Sequence, residues 1–120
     1  MIEQKQTWRD GDTTVFLLAW KHGSVNIYIE HKSTYFEEGD KVMLGNLWVD
    51  EDYRRCCLGS HILEKAEEVV KREGFNSVIL AYRKETPEWL ADWYKKSGYE
   101  FIKDDGQCIY VRKKLDKKLE

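Results

Sequence analysis

A single proline stands among the 120 residues, with three cysteines and no long stretch free of charge. One proline leaves no room for a polyproline stalk or a Pro-rich linker. Three cysteines, two of them neighbours (Cys56 and Cys57), make no disulfide framework. Neither they nor His22, His31 and His61 fall at the spacings of a metal site. The thiols read as reduced and the histidines as surface or structural groups. No run approaches the roughly 20 apolar residues of a spanning helix, and no charged-then-apolar leader opens the chain. Twenty basic residues face 22 acidic ones, a net charge of −2, which gives no general pull toward nucleic acid or an anionic membrane. The expectation is a cytoplasmic protein that partners neither.

What the chain does have is apolar and aromatic mass. It is 42% hydrophobic with five Trp and seven Tyr, the composition of a globular protein. At this length it is one domain that buries about two-thirds of its unfolded surface. Residues 1–115 form that domain, and residues 116–120 (DKKLE) read as a frayed tail.

The N-terminal third alternates like strands. A short edge strand around Ile2–Trp8 is followed by the turn Gly11-Asp12 and the β-rich run Thr13–Lys21. After His22-Gly23-Ser24, the residues Val25, Ile27 and Ile29 alternate with Asn26, Tyr28 and Glu30, which makes a hairpin with one buried face. Ser33–Asp40 reads as loop, and Lys41–Val49 as a strand carrying Val42, Leu44, Leu47, Trp48 and Val49.

The stretch from Leu47 to Glu73 organises the rest. Leu58, Ile62, Ala66, Val69 and Val70 form a helical stripe, Glu64, Lys65, Glu67, Glu68, Lys71 and Arg72 fill the other side, and Gly74 stands at C′. Between strand and helix runs Arg54-Arg55-Cys56-Cys57-Leu58-Gly59-Ser60. Free amides at a helix N-terminus beside two arginines suit a phosphate group. An ordinary turn with solvated arginines is the plain alternative. Asn76–Tyr82 then reads as a buried strand. Thr86-Pro87-Glu88 opens a second helix, with Thr86 as N-cap, that presents Trp89, Leu90, Trp93 and Tyr94 on one face and closes at Gly98. Tyr99–Lys103 and Gln107–Leu115 pair through Asp104-Asp105-Gly106. The class is α+β (mixed α/β): a central, mostly antiparallel sheet with two main helices.

From Val49 onward these motifs, in this order, resemble the acetyl-CoA-dependent N-acetyltransferases of the GNAT superfamily. Arg54-Arg55-Cys56-Cys57-Leu58-Gly59 matches the family's Arg/Gln-x-x-Gly-x-Gly/Ala loop, and Tyr94-Lys95-Lys96-Ser97-Gly98-Tyr99 its Tyr-bearing helix that closes on Gly-Phe/Tyr. The resemblance covers roughly residues 41–115 and implies the acyl-CoA N-acyltransferase fold in a short form, without the two helices that usually follow the first strand. It implies acetyl-CoA (CoA) as cofactor, its pyrophosphate on the amides of Arg55, Cys56, Cys57, Leu58, Gly59 and Ser60, with charge from Arg54 or Arg55. It places the thioester along the backbone of Leu47, Trp48 and Val49, and Thr86, Pro87, Leu90 and Tyr94 beside it. Tyr94 is implied as the catalytic acid to the departing thiolate.

Two positions depart from the family pattern. Cys57 replaces a glycine, at about 1 kcal/mol if its φ is positive, and Pro87 replaces an Asn. The general base stays open among Glu30, His31, Glu37, Glu38, Asp50 and Glu85, and Tyr53 reads as structural. The acceptor is expected to be a small-molecule or peptide amine, drawn by the acidic cluster Glu37-Glu38-Asp40. Trp8, Trp20 and Phe36 lack evident cover, so a homodimer is also expected. The alternative to N-acetyltransfer is a non-catalytic acetyl-CoA-binding module, and after that a structural domain.

Overall fold

The computed structural model describes residues 4–54 and 57–115. Seven strands and two helices follow one another as β1 (Gln4–Asp10), β2 (Thr13–Trp20), β3 (Gly23–Glu30), β4 (Val42–Val49), α1 (Leu58–Arg72), β5 (Ser77–Arg83), α2 (Glu88–Lys96), β6 (Glu100–Asp104) and β7 (Cys108–Lys114). They form one sheet in the order β1-β2-β3-β4-β5-β7-β6, antiparallel everywhere except between β4 and β5. Two residues, Gly11 and Asp12, separate β1 from β2, so the helices of the longer family form have no place there.

Strand alternation assigns the two faces of the sheet. Phe16, Leu18, Trp20, Val25, Ile27, Ile29, Val42, Leu44, Val78, Leu80 and Val111 point to the face that α1 and α2 cover, and join Ile62, Leu63, Ala66, Val69, Val70, Tyr94 and Tyr99 in one core. Trp20 therefore has cover after all: it is buried, edge-on to His61 of α1 with ring centroids 5.8 Å apart. Trp8 and Phe36 remain exposed. The opposite face carries Val15, Tyr28, Met43 and Ile79 in register across four strands, and no helix lies over it among the described residues. Residues 33–40 strap part of it, where Phe36 meets Tyr110 edge-on and Arg112 bonds Asp40 through two contacts of 3.0 and 2.7 Å. Asp40 is buried and committed to that arginine, so it is no part of a free acidic cluster. The same residues border a polar cavity with Ser77 and Lys114, at the opening ends of β4 and β5.

Both helices stop in the same way. In α1, Gly74 at φ 98° donates to Lys71 O and Phe75 to Val70 O; in α2, Gly98 at φ 101° donates to Lys95 O and Tyr99 to Tyr94 O. These are Schellman closures, which need a residue that accepts positive φ. The second closure sets Tyr99 in the core, where its hydroxyl donates 2.8 Å to Glu67, which also receives Lys113 Nζ at 3.0 Å. Glu67 thus lies on the buried side of α1, against the solvent side that its charge predicts. The phenol and the ammonium satisfy the carboxylate that the helical stripe draws inward.

Candidate functional site

The site is built on a break in the sheet. β4 and β5 pair only at Met43↔Ile79 and Leu44↔Leu80, although β4 runs on to Val49 and β5 to Arg83. Beyond those two pairs the strands part, and the backbone of Gly45–Val49 faces a gap. A bulge in β4 accompanies the break: Asn26 pairs with Gly45 while Ser24 pairs with Trp48, so β4 spends one residue more than β3, and Asn46 takes φ 52°. The extra residue inverts the alternation. Leu47 and Val49 turn in to the helix-side core and Trp48 turns out, 49% exposed. Asn is among the few side chains that tolerate this backbone region.

At the mouth of the gap stands the first turn of α1. Its N-cap is Cys57, at φ 64° and ψ 12°, with no side-chain cap bond, and no acidic residue lies in the turn. The first intrahelical bond is His61 N to Cys57 O at 3.1 Å, so the amides of Leu58, Gly59 and Ser60 face outward without an intrahelical acceptor. Arg54 is exposed beside them, its Nε donating 3.2 Å to Val49 O. The positive φ on which the cost of Cys57 depends is present, and the first-turn amides remain free of intrahelical acceptors. Arg55 and Cys56 lie outside the described residues. A 3₁₀ turn over Glu51–Tyr53 leads in, capped by Asp50, which also meets His22 Nδ1 at 3.3 Å. Tyr53 stacks on His22 at 3.7 Å, which gives it the structural role expected of it.

Helix α2 crosses the gap on the helix side with one aromatic to each arm. Trp93 meets Val49 of β4 at Gly59: a Cβ added to Gly59 would lie 3.3 Å from the indole and 3.7 Å from Val49. Tyr94 stacks on Tyr82 of β5 at 5.4 Å. Tyr94 is 5% exposed, and burial pushes its pKa up to about 12. The phenol therefore stays neutral and keeps its proton to donate.

Two details of α2 correct the sequence reading. Pro87, at ψ 146°, is the N-cap, with no side-chain cap bond, so Thr86 lies outside the helix instead of capping it. Trp89 is 58% exposed and does not share the inward face with Leu90, Trp93 and Tyr94. Most of the candidate bases are engaged elsewhere: Glu30 accepts from Thr13 at 2.9 Å, His31 meets Thr14 at 2.7 Å, and Glu85 pairs with Arg83 at 3.0 Å. Glu37 lies 3.6 Å from Arg112. No group of His, Cys, Asp and Glu among the described residues is arranged to hold a metal ion.

The donor set suits a nucleotide thioester. Uncapped first-turn amides with a nearby cation are what a pyrophosphate needs, and the unpaired edge of β4 offers backbone donors to an amide-bearing chain laid along it. The bulge at Gly45-Asn46 is a site feature that the sequence reading missed. Its signal is the switch of apolar parity between Leu44 and Leu47 across a Gly-Asn pair.

Known proteins share the family pattern and the fold of this chain. A family model described as "Acetyltransferase (GNAT) family" matches residues 1–99. The GCN5-related N-acetyltransferase 5, chloroplastic, of Arabidopsis thaliana is 30% identical over 66 residues, 55% of this chain; the match spans 21% of that curated relative. The crystal structure of PaiA N-acetyltransferase from Thermoplasma acidophilum in complex with coenzyme A shares the fold at a TM-score of 0.66 and 19% identity, over 87% of this chain and 62% of that one. An acetyltransferase from Thermus thermophilus does so at 0.67 and 22%, over 88% and 66%.

Proposed function

The chain belongs to the GNAT acetyltransferase family, whose members are enzymes that use acetyl-CoA, and we propose on that footing that it transfers acetyl from acetyl-CoA to a primary amine by direct attack in a ternary complex. The acceptor class is a small-molecule or peptide amine. The observation that carries the reading is the convergence on one gap of the uncapped α1 turn, the parted edge of β4 and the buried, neutral Tyr94.

When bound, acetyl-CoA supplies an acetyl thioester, a carbonyl open to an amine and a sulfur able to leave as thiolate. The chain's own residues then divide the remaining work. The amides of Cys57, Leu58, Gly59 and Ser60 hold the pyrophosphate with Arg54 beside them. The β4 backbone from Leu47 to Val49 aligns the pantetheine arm and offers an N–H to the thioester oxygen, an oxyanion-type stabilisation fixed before reaction. Trp93 and Leu90 exclude water from the helix side of the gap. The Tyr94 hydroxyl donates to the sulfur. A phenol pushed to about 12 acts there chiefly as a hydrogen-bond donor, since its pKa lies above that of the thiol it would protonate.

The test is a calorimetric titration with acetyl-CoA and with free CoA, followed by thiol release in the presence of amines. Micromolar binding together with amine-dependent thiol release is expected, and Tyr94→Phe is expected to lower kcat about a hundredfold without changing the CoA affinity. Binding without thiol release would leave a non-catalytic acetyl-CoA-binding module. No binding at millimolar CoA would remove both readings.

A further inference from the structure

On the face opposite the helices, one side chain is arranged with more care than packing requires. The Tyr28 ring lies across Gly45: a Cβ at that glycine would come within 2.8 Å of Tyr28 Cε2, so the ring rests where any other residue of β4 would put a side chain. Its hydroxyl accepts two bonds, from Asn26 Nδ2 at 2.9 Å and from Asn46 Nδ2 at 3.3 Å. Asn46 reaches it because the bulge raises that residue to φ 52°. The three residues thus sit at the point where β4 leaves β5.

The arrangement fixes what the cluster offers. Two donated bonds engage both lone pairs of the Tyr28 oxygen, so its own proton points away as a donor. Each asparagine has spent an N–H and keeps its carbonyl oxygen as an acceptor. One O–H donor and two carbonyl acceptors, all uncharged, border the gap from the side that α1 and α2 leave open. A primary amine presents two N–H donors that match the two carbonyl acceptors, and its lone pair stays free for attack.

We propose that Tyr28, held by Asn26 and Asn46, positions the acceptor amine at the gap from the helix-free face. The inference rests on the acetyltransferase reading and deepens it by assigning the acceptor side. The two carbonyl oxygens take the amine's N–H groups and turn its lone pair toward the parted edge of β4. Neutral acceptors hold a free amine without adding the charge that would favour its unreactive ammonium form. Tyr28 is a positioning residue. The amine's nitrogen would bond to the acetyl carbon as the carbon–sulfur bond breaks, the sulfur leaving as thiolate and the nitrogen's surplus proton passing to solvent.

The test is steady-state thiol release at saturating acetyl-CoA with n-butylamine and lysine amide as acceptor probes, comparing wild type with Tyr28→Phe and Asn46→Gly, the glycine keeping the positive φ of that position without strain. The expected result is an acceptor KM raised about tenfold in each variant, with the KM for acetyl-CoA, the calorimetric CoA affinity and the melting temperature unchanged. A merely structural role would move the melting temperature or both KM values together, and that outcome overturns the proposal. So does an acceptor KM that does not change. Wild type that binds CoA yet releases thiol no faster with either amine overturns the assignment of this face while leaving the cofactor reading intact. Failure to bind CoA removes the acetyltransferase reading itself, and this inference with it.

Discussion

Replacing Cys57 by glycine should make the protein more stable, although it deletes a side chain at the mouth of the site. Cys57 sits at φ 64° and ψ 12°, in the left-handed region, where a Cβ crowds the following carbonyl. That conformation costs an L-residue about 1–2 kcal/mol, and glycine avoids it. Glycine in turn loses more backbone freedom on folding, a penalty of about 0.4–1 kcal/mol. The side chain gives little back: Cys57 is exposed and caps no helix amide. The net gain is then about 0.5–1 kcal/mol, or some 2–4 °C in melting temperature for a domain of this size.

Cys57→Ala separates the causes, because it removes the sulfur and keeps the Cβ. Urea unfolding of the three proteins should show Cys57→Gly with the highest midpoint, Cys57→Ala equal to wild type, and one common m value. The amide of residue 57 is present in all three, so CoA affinity should stay within about twofold. A glycine variant no more stable than the alanine variant would refute the strain argument. A tenfold loss of CoA affinity in Cys57→Gly alone would show that the loop needs the stiffness a Cβ gives it.

The glycine of β3 should behave in the opposite sense. A Cβ at Gly23 would meet Trp48 O at 2.8 Å and Ile62 Cδ1 at 2.5 Å, and a strand carbonyl cannot move aside, so Gly23→Ala should cost about 2 kcal/mol in urea unfolding. A midpoint equal to wild type would show that β3 and β4 separate readily there. Alkali should unfold the protein through its buried phenols. Tyr94 is pushed up to about 12 by burial, and Tyr99 is raised also, first by burial and then by Glu67. A folded pKa above the unfolded value near 10 contributes stability that is full below pH 10 and is lost as pH climbs through 12 and beyond. The urea midpoint should therefore fall over that range, and less steeply in Tyr94→Phe. Complete phenolate absorbance at pH 10 with the fold intact would contradict it.

Local pattern sufficed for the order of strands and helices, because each element here is long enough to show its period. The alternation Val25, Ile27, Ile29 marks β3, the stripe from Leu58 to Val70 marks α1, and the glycines at 74 and 98 end the two helices. What stayed hidden depends on partners distant in sequence. Glu67 reads as a solvated charge until Tyr99 and Lys113 are brought against it, and Asp40 as an acidic attractor until Arg112 takes both its oxygens. Thr86 reads as an N-cap because Thr-Pro-Glu has that composition, yet the chain enters α2 one residue later, at Pro87.

The site was legible in the same uneven way. The residues proposed for its helix side (Gly59, Tyr94 and the first turn of α1) belong to motifs of fixed local spacing, the ones that carry the family resemblance. The face proposed for the acceptor has no such motif, because it is made by a register shift. One extra residue in β4 turns Leu47 and Val49 inward and carries Asn46 to the Tyr28 hydroxyl, next to the point where β4 and β5 cease to pair. Deleting Asn46 would restore regular alternation with Leu47 and Val49 still inward and Trp48 still outward, and would remove only the amide that reaches the Tyr28 hydroxyl. The bulge thus links the two faces proposed for the site, and its cost to the sheet is a reason to read it as functional.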